Sequence, residues 1–179
     1  MLHTLLYNSE KITVSYDDMN NVISPITHKM VDYNNINRFH NLKDFFGKKR
    51  CVILFLPNKV EAVGHWVCLI KQRDFIEFFD PYGYTFNQLA NLLGLRKTEL
   101  FDNPQIVFNQ HRFQKMRKNI NDCGRHCAVR CRFANVSLKN YTKFIGNNNK
   151  MSADDLVTIM TMLSMPPKSS MARLLEKTK

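Results

Sequence analysis

Residues 51–83 read CVILFLPNKVEAVGHWVCLIKQRDFIEFFDPYG, and their pattern decides the fold. Cys51–Leu56 is continuously apolar, as a strand buried on both faces requires. Gly64–Ile70 (GHWVCLI) and Phe75–Phe79 (FIEFF) follow, set off by polar turns at Asn58–Glu61 and Gln72-Arg73-Asp74. Three short runs of β-branched, aliphatic and aromatic residues joined this closely predict an antiparallel meander. Asp80-Pro81-Tyr82-Gly83 ends the third run with turn chemistry.

Downstream, Asn87–Leu95 carries Leu89, Leu92 and Leu93 at helical spacing, and Ile106–Phe108 reads as a fourth strand. Upstream, Tyr16–Ile23 predicts a short helix that stops at Ser24-Pro25, because a residue before proline avoids the helical region. Asn41 caps a helix through Leu42, Phe45 and Phe46 that Gly47 ends. The rest of 1–48 is mixed and polar. In Asn121–Arg132 (NDCGRHCAVRCR), Asp122 is a candidate N-cap for a helix that begins at Cys123 and ends near Asn135. Ser137 caps a segment to Phe144, and Ser152 with Asp155 opens an amphipathic helix through Leu163. Pro166-Pro167 breaks that helix, and Met171–Glu176 adds a last turn or two. The expected class is α+β: a small mixed, largely antiparallel sheet, packed by a central helix opening at Cys123 and by peripheral helices. One domain over 1–179 fits the length.

Composition narrows the function classes. A chain with 44% hydrophobic residues can bury a core, and no apolar run reaches the ~18 residues that cross a bilayer. Met1–Asn8 lacks the basic start, apolar length and cleavage site of a secretory leader. Five cysteines without a disulfide-like spacing point to free thiols in a reducing compartment. With 26 basic against 15 acidic residues, the net charge of +11 favours a polyanion such as DNA or RNA, or simply a soluble basic surface.

Cys123 is the residue on which chemistry turns. A thiol in the first turn of a helix meets unpaired N–H groups and the positive end of the dipole, which stabilise a thiolate. The same N–H groups can hold the oxygen of a tetrahedral intermediate, and Gly124 lets a neighbour approach the backbone beside the sulfur. Taken alone, a buried structural cysteine explains Cys123 better, because free cysteine is among the most buried residue types. A nucleophile needs a base and a group to orient it. Of six histidines, His65 sits in a strand that would fix its ring beside Trp66, and a hairpin would bring Asp80 to it. His126 is the second choice of base. Asp80 is otherwise an ordinary Asp-Pro turn. Cys123, Cys127 and Cys131 spread over ~12 Å of helix, too far to share one zinc ion, and Cys51 and Cys68 are read as packing residues.

His65-Trp66, then Phe78-Phe79-Asp80-Pro81-Tyr82-Gly83, then a glutamine, then Asp122-Cys123-Gly124, together resemble the adenovirus-protease and SUMO-protease clan of cysteine peptidases. The likeness runs from about residue 41 to 132 and is closest to capsid-maturation proteases of adenoviruses, virophages and Polinton-like elements. Residues 1–40 and 145–179 carry no placeable motif. The resemblance implies an adenain-like, papain-like peptidase domain with Cys123 as nucleophile, His65 as base and Asp80 as its support. It also implies a glutamine donating to the oxyanion, and substrate contacts at Trp66 and Gly124. The glutamine departs from the pattern by standing farther from the cysteine; Gln114 is the first choice, with an insertion around Lys115–Lys118, and Gln110 the second.

What the resemblance implies about function is a viral thiol endopeptidase that processes capsid or other structural precursors during virion maturation. No cofactor is required for the chemistry, with DNA or a peptide as activator. Partners are the precursor proteins and DNA, with no membrane, for a monomer in the virion and in the host cytoplasm or nucleus. The segment Arg112–Lys143 is rich in Lys and Arg with interleaved aromatics, so Arg112, Lys115, Arg117 and Lys118 are candidate nucleic-acid contacts; a solvated positive face is the alternative. A ubiquitin-like isopeptidase, an acetyltransferase, or a nucleic-acid-binding protein that kept the fold without catalysis are the competing readings.

Overall fold

The computed structural model describes residues 6, 8–9, 12–59, 63–116 and 122–165. Five strands form one sheet in the order β1-β2-β3-β4-β5: His28–Asp32, Cys51–Leu56, His65–Lys71, Ile76–Phe79 and Ile106–Phe108. The predicted meander is its centre, with β2 antiparallel to β3 and β3 antiparallel to β4. The edge strands β1 and β5 pair parallel to β2 and β4. Parallel neighbours need a crossover, supplied by residues 33–50 and 80–105. The class is α+β with a mixed sheet, but half of its ladders are parallel. β1 was not legible in the sequence, because HKMVD has neither an apolar run nor turn formers on both sides.

Helices cover both faces. We number them α1 (Tyr16–Ile23), α2 (Leu42–Phe46), α3 (Phe86–Leu92), α4 (Cys123–Arg132), α5 (Leu138–Tyr141) and α6 (Ala153–Leu163). Local chemistry starts most of them. The Ser15 side chain accepts from the Asp18 N–H while Asp18 bonds back to Ser15, Thr85 and Gln88 repeat the arrangement at α3, and Asn41 and Ser152 cap α2 and α6. Gly47 ends α2 at φ +55°, a backbone setting that favours glycine. The segment expected to Phe144 continues α5 as one wide turn over Thr142–Gly146. Pro166-Pro167 and Met171–Glu176 lie outside the described residues.

Because side chains alternate along a strand, β2 divides between two cores. Cys51 and Ile53 face α1, α4 and α6 with Trp66, Cys68 and Phe79. Val52, Leu54 and Leu56 face α2 and α3 with Phe45, Phe46, Phe78 and Phe86. α4 is therefore a central helix lying against β3, and Cys127 and Cys131 are fully buried in the first core. Burial pushes the Cys127 thiol up to about 11, as suits a packing residue.

Charge from the basic segment also turns inward. Arg130 donates from Nε and Nη2 to the two oxygens of Glu77 on β4, each at 2.7 Å. It further donates to the carbonyls of Phe133 and Val136, and its guanidinium lies 4.8 Å from the Tyr141 ring centre. Every charge here is enclosed and paired. Removing one partner would strand the other in the core, at a cost of about 3–5 kcal/mol. Arg125, also fully buried, pairs with Asp122 and donates to the carbonyls of Ser9 and Ile12 at 2.7 and 2.8 Å. It ties the N-terminal segment to the start of α4.

Candidate active site

The sheet delivers its chemistry at one end. His65 is the first residue of β3, and Asp80 is the first residue beyond β4. The antiparallel pairing of these strands brings the two together: His65 Nε2–H donates to Asp80 Oδ1 at 2.5 Å. Both groups are nearly or completely buried. The Asp80 carboxylate also accepts from the Tyr84 N–H at 2.8 Å. Its backbone is pinned by Asn109, which accepts the Asp80 N–H at 2.7 Å and donates to its carbonyl at 2.8 Å. Tyr82 stacks on the imidazole at 5.3 Å between ring centres.

Cys123 opens α4, half-buried, on the side of His65, and its sulfur is near enough to raise the imidazole. Since Nε2 faces Asp80, Nδ1 is the nitrogen left for the thiol. Burial disfavours the imidazolium, but hydrogen bonds and charge from Asp80 and Cys123 outweigh it and push His65 up to about 10. A base held this strongly in its protonated form is suited to sit beside a thiolate.

Asp122 does not act as the expected side-chain cap. It adopts helical backbone angles and makes no cap bond, its carboxylate turning to Arg125 instead. No side chain of the cap therefore claims the first-turn N–H groups beside the sulfur.

Gln114 is buried, and among the described residues neither atom of its side-chain amide has a partner. A buried amide without a partner calls for a reason. Its backbone is fixed: the Phe113 and Gln114 N–H groups both donate to the Pro81 carbonyl, at 2.9 and 3.0 Å. Lys115 N–H then donates to Asp154 Oδ2 at 3.2 Å. Three successive N–H groups thus bind this loop to the Asp80 turn and to α6. Gln110 is exposed.

Other candidates fall elsewhere. His126, the second choice of base, is fully buried and donates from Nε2 to Asp154 at 2.9 Å, so its ring is committed to α6. Trp66 is wedged between Phe55 and Tyr16, at 4.8 and 5.2 Å between ring centres. Gly124 is buried, and a Cβ there would stand 2.8 Å from Val14 and 3.3 Å from Met19. The close approach it permits is thus made by the chain's own N-terminal segment rather than by an open cleft. Arg112 and Lys115 are exposed, while Arg117 and Lys118 lie outside the described residues. Because Arg125 and Arg130 are buried, Arg112–Lys143 is not one cationic face. Among the described residues no group of three or more His, Cys, Asp or Glu is arranged to hold a metal ion.

Sequence reasoning missed Asn109 and Asp154, and placed Tyr82 only as part of the turn after Asp80. Asn109 follows a three-residue strand and looks like any strand-ending amide. Asp154 reads as the usual acid in a helix first turn. Nothing local announces that either one supports a distant loop.

An α+β chain with thiol, imidazole and carboxylate aligned at a helix start is the class that fold and site define. The chain is 30% identical over 173 residues to the uncharacterized protein V9 of Sputnik virophage, covering 86% of this chain and 96% of that protein. It belongs to the family of V9. Among solved structures it is similar to the ASFV pS273R protease, at 18% identity and a TM-score of 0.34, over 75% of this chain and 57% of that one. A likeness of that size carries no inference about activity. No family profile matches the chain, and among the described residues no helix is long and apolar enough to cross a membrane.

Proposed function

We propose that this protein is a cysteine endopeptidase. The observation that carries the reading is His65, with one nitrogen on a buried carboxylate and a half-buried thiol at a helix start near enough to raise it. The Cys123 proton rests on His65 Nδ1 as a thiolate–imidazolium pair, and the thiolate attacks the scissile carbonyl carbon. The oxyanion is held by the Cys123 N–H and by Gln114, whose buried amide then has its partner. The C–N bond breaks as His65 returns its proton to the leaving amine. Water, deprotonated by the same nitrogen, then cleaves the thioester and frees the sulfur. Asp80 keeps Nε2 as the donor nitrogen, so Nδ1 is the base, and it stabilises the imidazolium.

The substrates we assign are structural precursor proteins of a virus, on the strength of kinship with a virophage protein. A thiol-reactive peptide electrophile should label the wild type and Cys127→Ala but not Cys123→Ala. Equal labelling of both variants would refute a nucleophile at position 123. Incubating the protein with the capsid precursor of the same virus, and sequencing the new N-termini, tests the substrate; cleavage of ubiquitin-like fusions alone would move it to an isopeptidase.

A further inference from the structure

We propose that the other end of the sheet is a groove for single-stranded nucleic acid, a site independent of the peptidase reading. β3 starts at His65 and finishes at Lys71, about 20 Å away at ~3.3 Å per residue. There the β3–β4 hairpin turn separates two clefts that share Lys71, Gln72 and Arg73. One, of about 460 Å³, runs past Lys48, Lys49 and Arg50. The other, of about 550 Å³, runs past Lys43, Phe75 and Gln105. Across both, six cations line the walls against one carboxylate, Asp74.

The cations are of two kinds. Lys71 and Arg50 are held in place: Lys71 donates to the Gly47 carbonyl at 3.2 Å over the Phe46 ring, and Arg50 donates to the Ala134 carbonyl at 3.3 Å. Lys43, Lys48, Lys49 and Arg73 are exposed. Two held charges among four exposed ones suit a flexible chain of phosphates. Phe75, 40% exposed in the wall, offers a ring on which a base can stack, and Gln105 offers an amide to base edges. The exposed bases of a single strand would meet that ring and amide, which a lipid headgroup surface would leave unused. The groove also relocates the polyanion site expected from sequence, which pointed to Arg112 and Lys115.

The test is fluorescence anisotropy with a labelled oligothymidylate and the full chain. The wild type should bind, with affinity falling steeply as salt rises. The exposed-site variant Lys48→Gln/Lys49→Gln/Arg73→Gln should lose about tenfold or more in affinity. Its slope of log K against log salt should drop by about 2, at ~0.7 for each single-strand phosphate contact. Phe75→Ala should weaken the oligonucleotide by about tenfold and leave duplex binding unchanged. Arg112→Gln/Lys115→Gln should bind like the wild type. A triple variant of wild-type affinity, a loss confined to Arg112→Gln/Lys115→Gln, a flat salt response, or capture by phosphatidylserine vesicles without oligonucleotide binding would each overturn the assignment. All variants should cleave peptide at the wild-type rate, so failure here and failure of the peptidase reading are separable.

Discussion

The two ends of β3 put charge to opposite uses. At the His65 end the ionisable groups are few, buried or half-buried, and close to one another. At the Lys71 end they are many, mostly exposed and of one sign. Buried charges interact strongly, so they act as a unit, and the loss of one member disables the rest. Exposed charges are screened, so their effects are individually small, roughly additive and salt-dependent. The same strand thus carries a site whose variants should fail outright and one whose variants should fail by degrees.

The largest effects belong to the buried end. Cys123→Ala and His65→Ala should each lower peptide cleavage by more than about 10³-fold, Cys123→Ala with an unchanged thermal midpoint; residual activity in His65→Ala would show that another base serves Cys123. Arg130→Met should leave Glu77 stranded and cost about 3–5 kcal/mol in urea unfolding, and a loss below ~1 kcal/mol would mean that water reaches this pair. Gln114→Ala should reduce kcat by about 10²-fold with little change in KM. If KM carried the loss instead, Gln114 would be binding substrate rather than the oxyanion.

Asp80→Asn is a milder change. Asp80 raises His65, so its loss should move the alkaline limb of the pH–rate profile down from about 10, and an unmoved limb would assign that limb to another group. The stability sign follows from the same shift. A histidine raised on folding contributes fully below its ordinary value near 6.5, and that contribution fades as pH rises through about 10. The wild type should therefore lose its stability advantage over His65→Gln across that window. The smallest effect on cleavage, within about twofold, should come from Lys48→Gln/Lys49→Gln. A large one would mean that the two ends of β3 are coupled.

Much of the site was legible because the chemistry names its own residues. A histidine in an apolar strand, an aspartate at the end of the next strand and a cysteine after a turn are each compatible with many roles, but their order narrows the choice to one candidate set. The caps at Ser152 and Asn41 were equally plain, since Ser-x-x-Asp and Asn before an apolar run are local signals. β1 escaped notice because an edge strand half-covered by neighbours needs no apolar pattern of its own. Arg125 and Arg130 were read as surface charge because lysine and arginine usually are. Only the facing Asp122 and Glu77 turn them inward.

By itself the sequence determined the meander and most helix starts, since alternation, capping and turn chemistry act between near neighbours, and it singled out His65, Asp80 and Cys123 as candidates by their order. The tertiary structure alone decided what approaches across the chain: Asp154 on the loop that carries Gln114, Asn109 behind Asp80, and Lys48 with Arg73 in one groove. Those meetings depend on strand register and on how helices pack against the sheet, and no stretch of the chain holds that information locally.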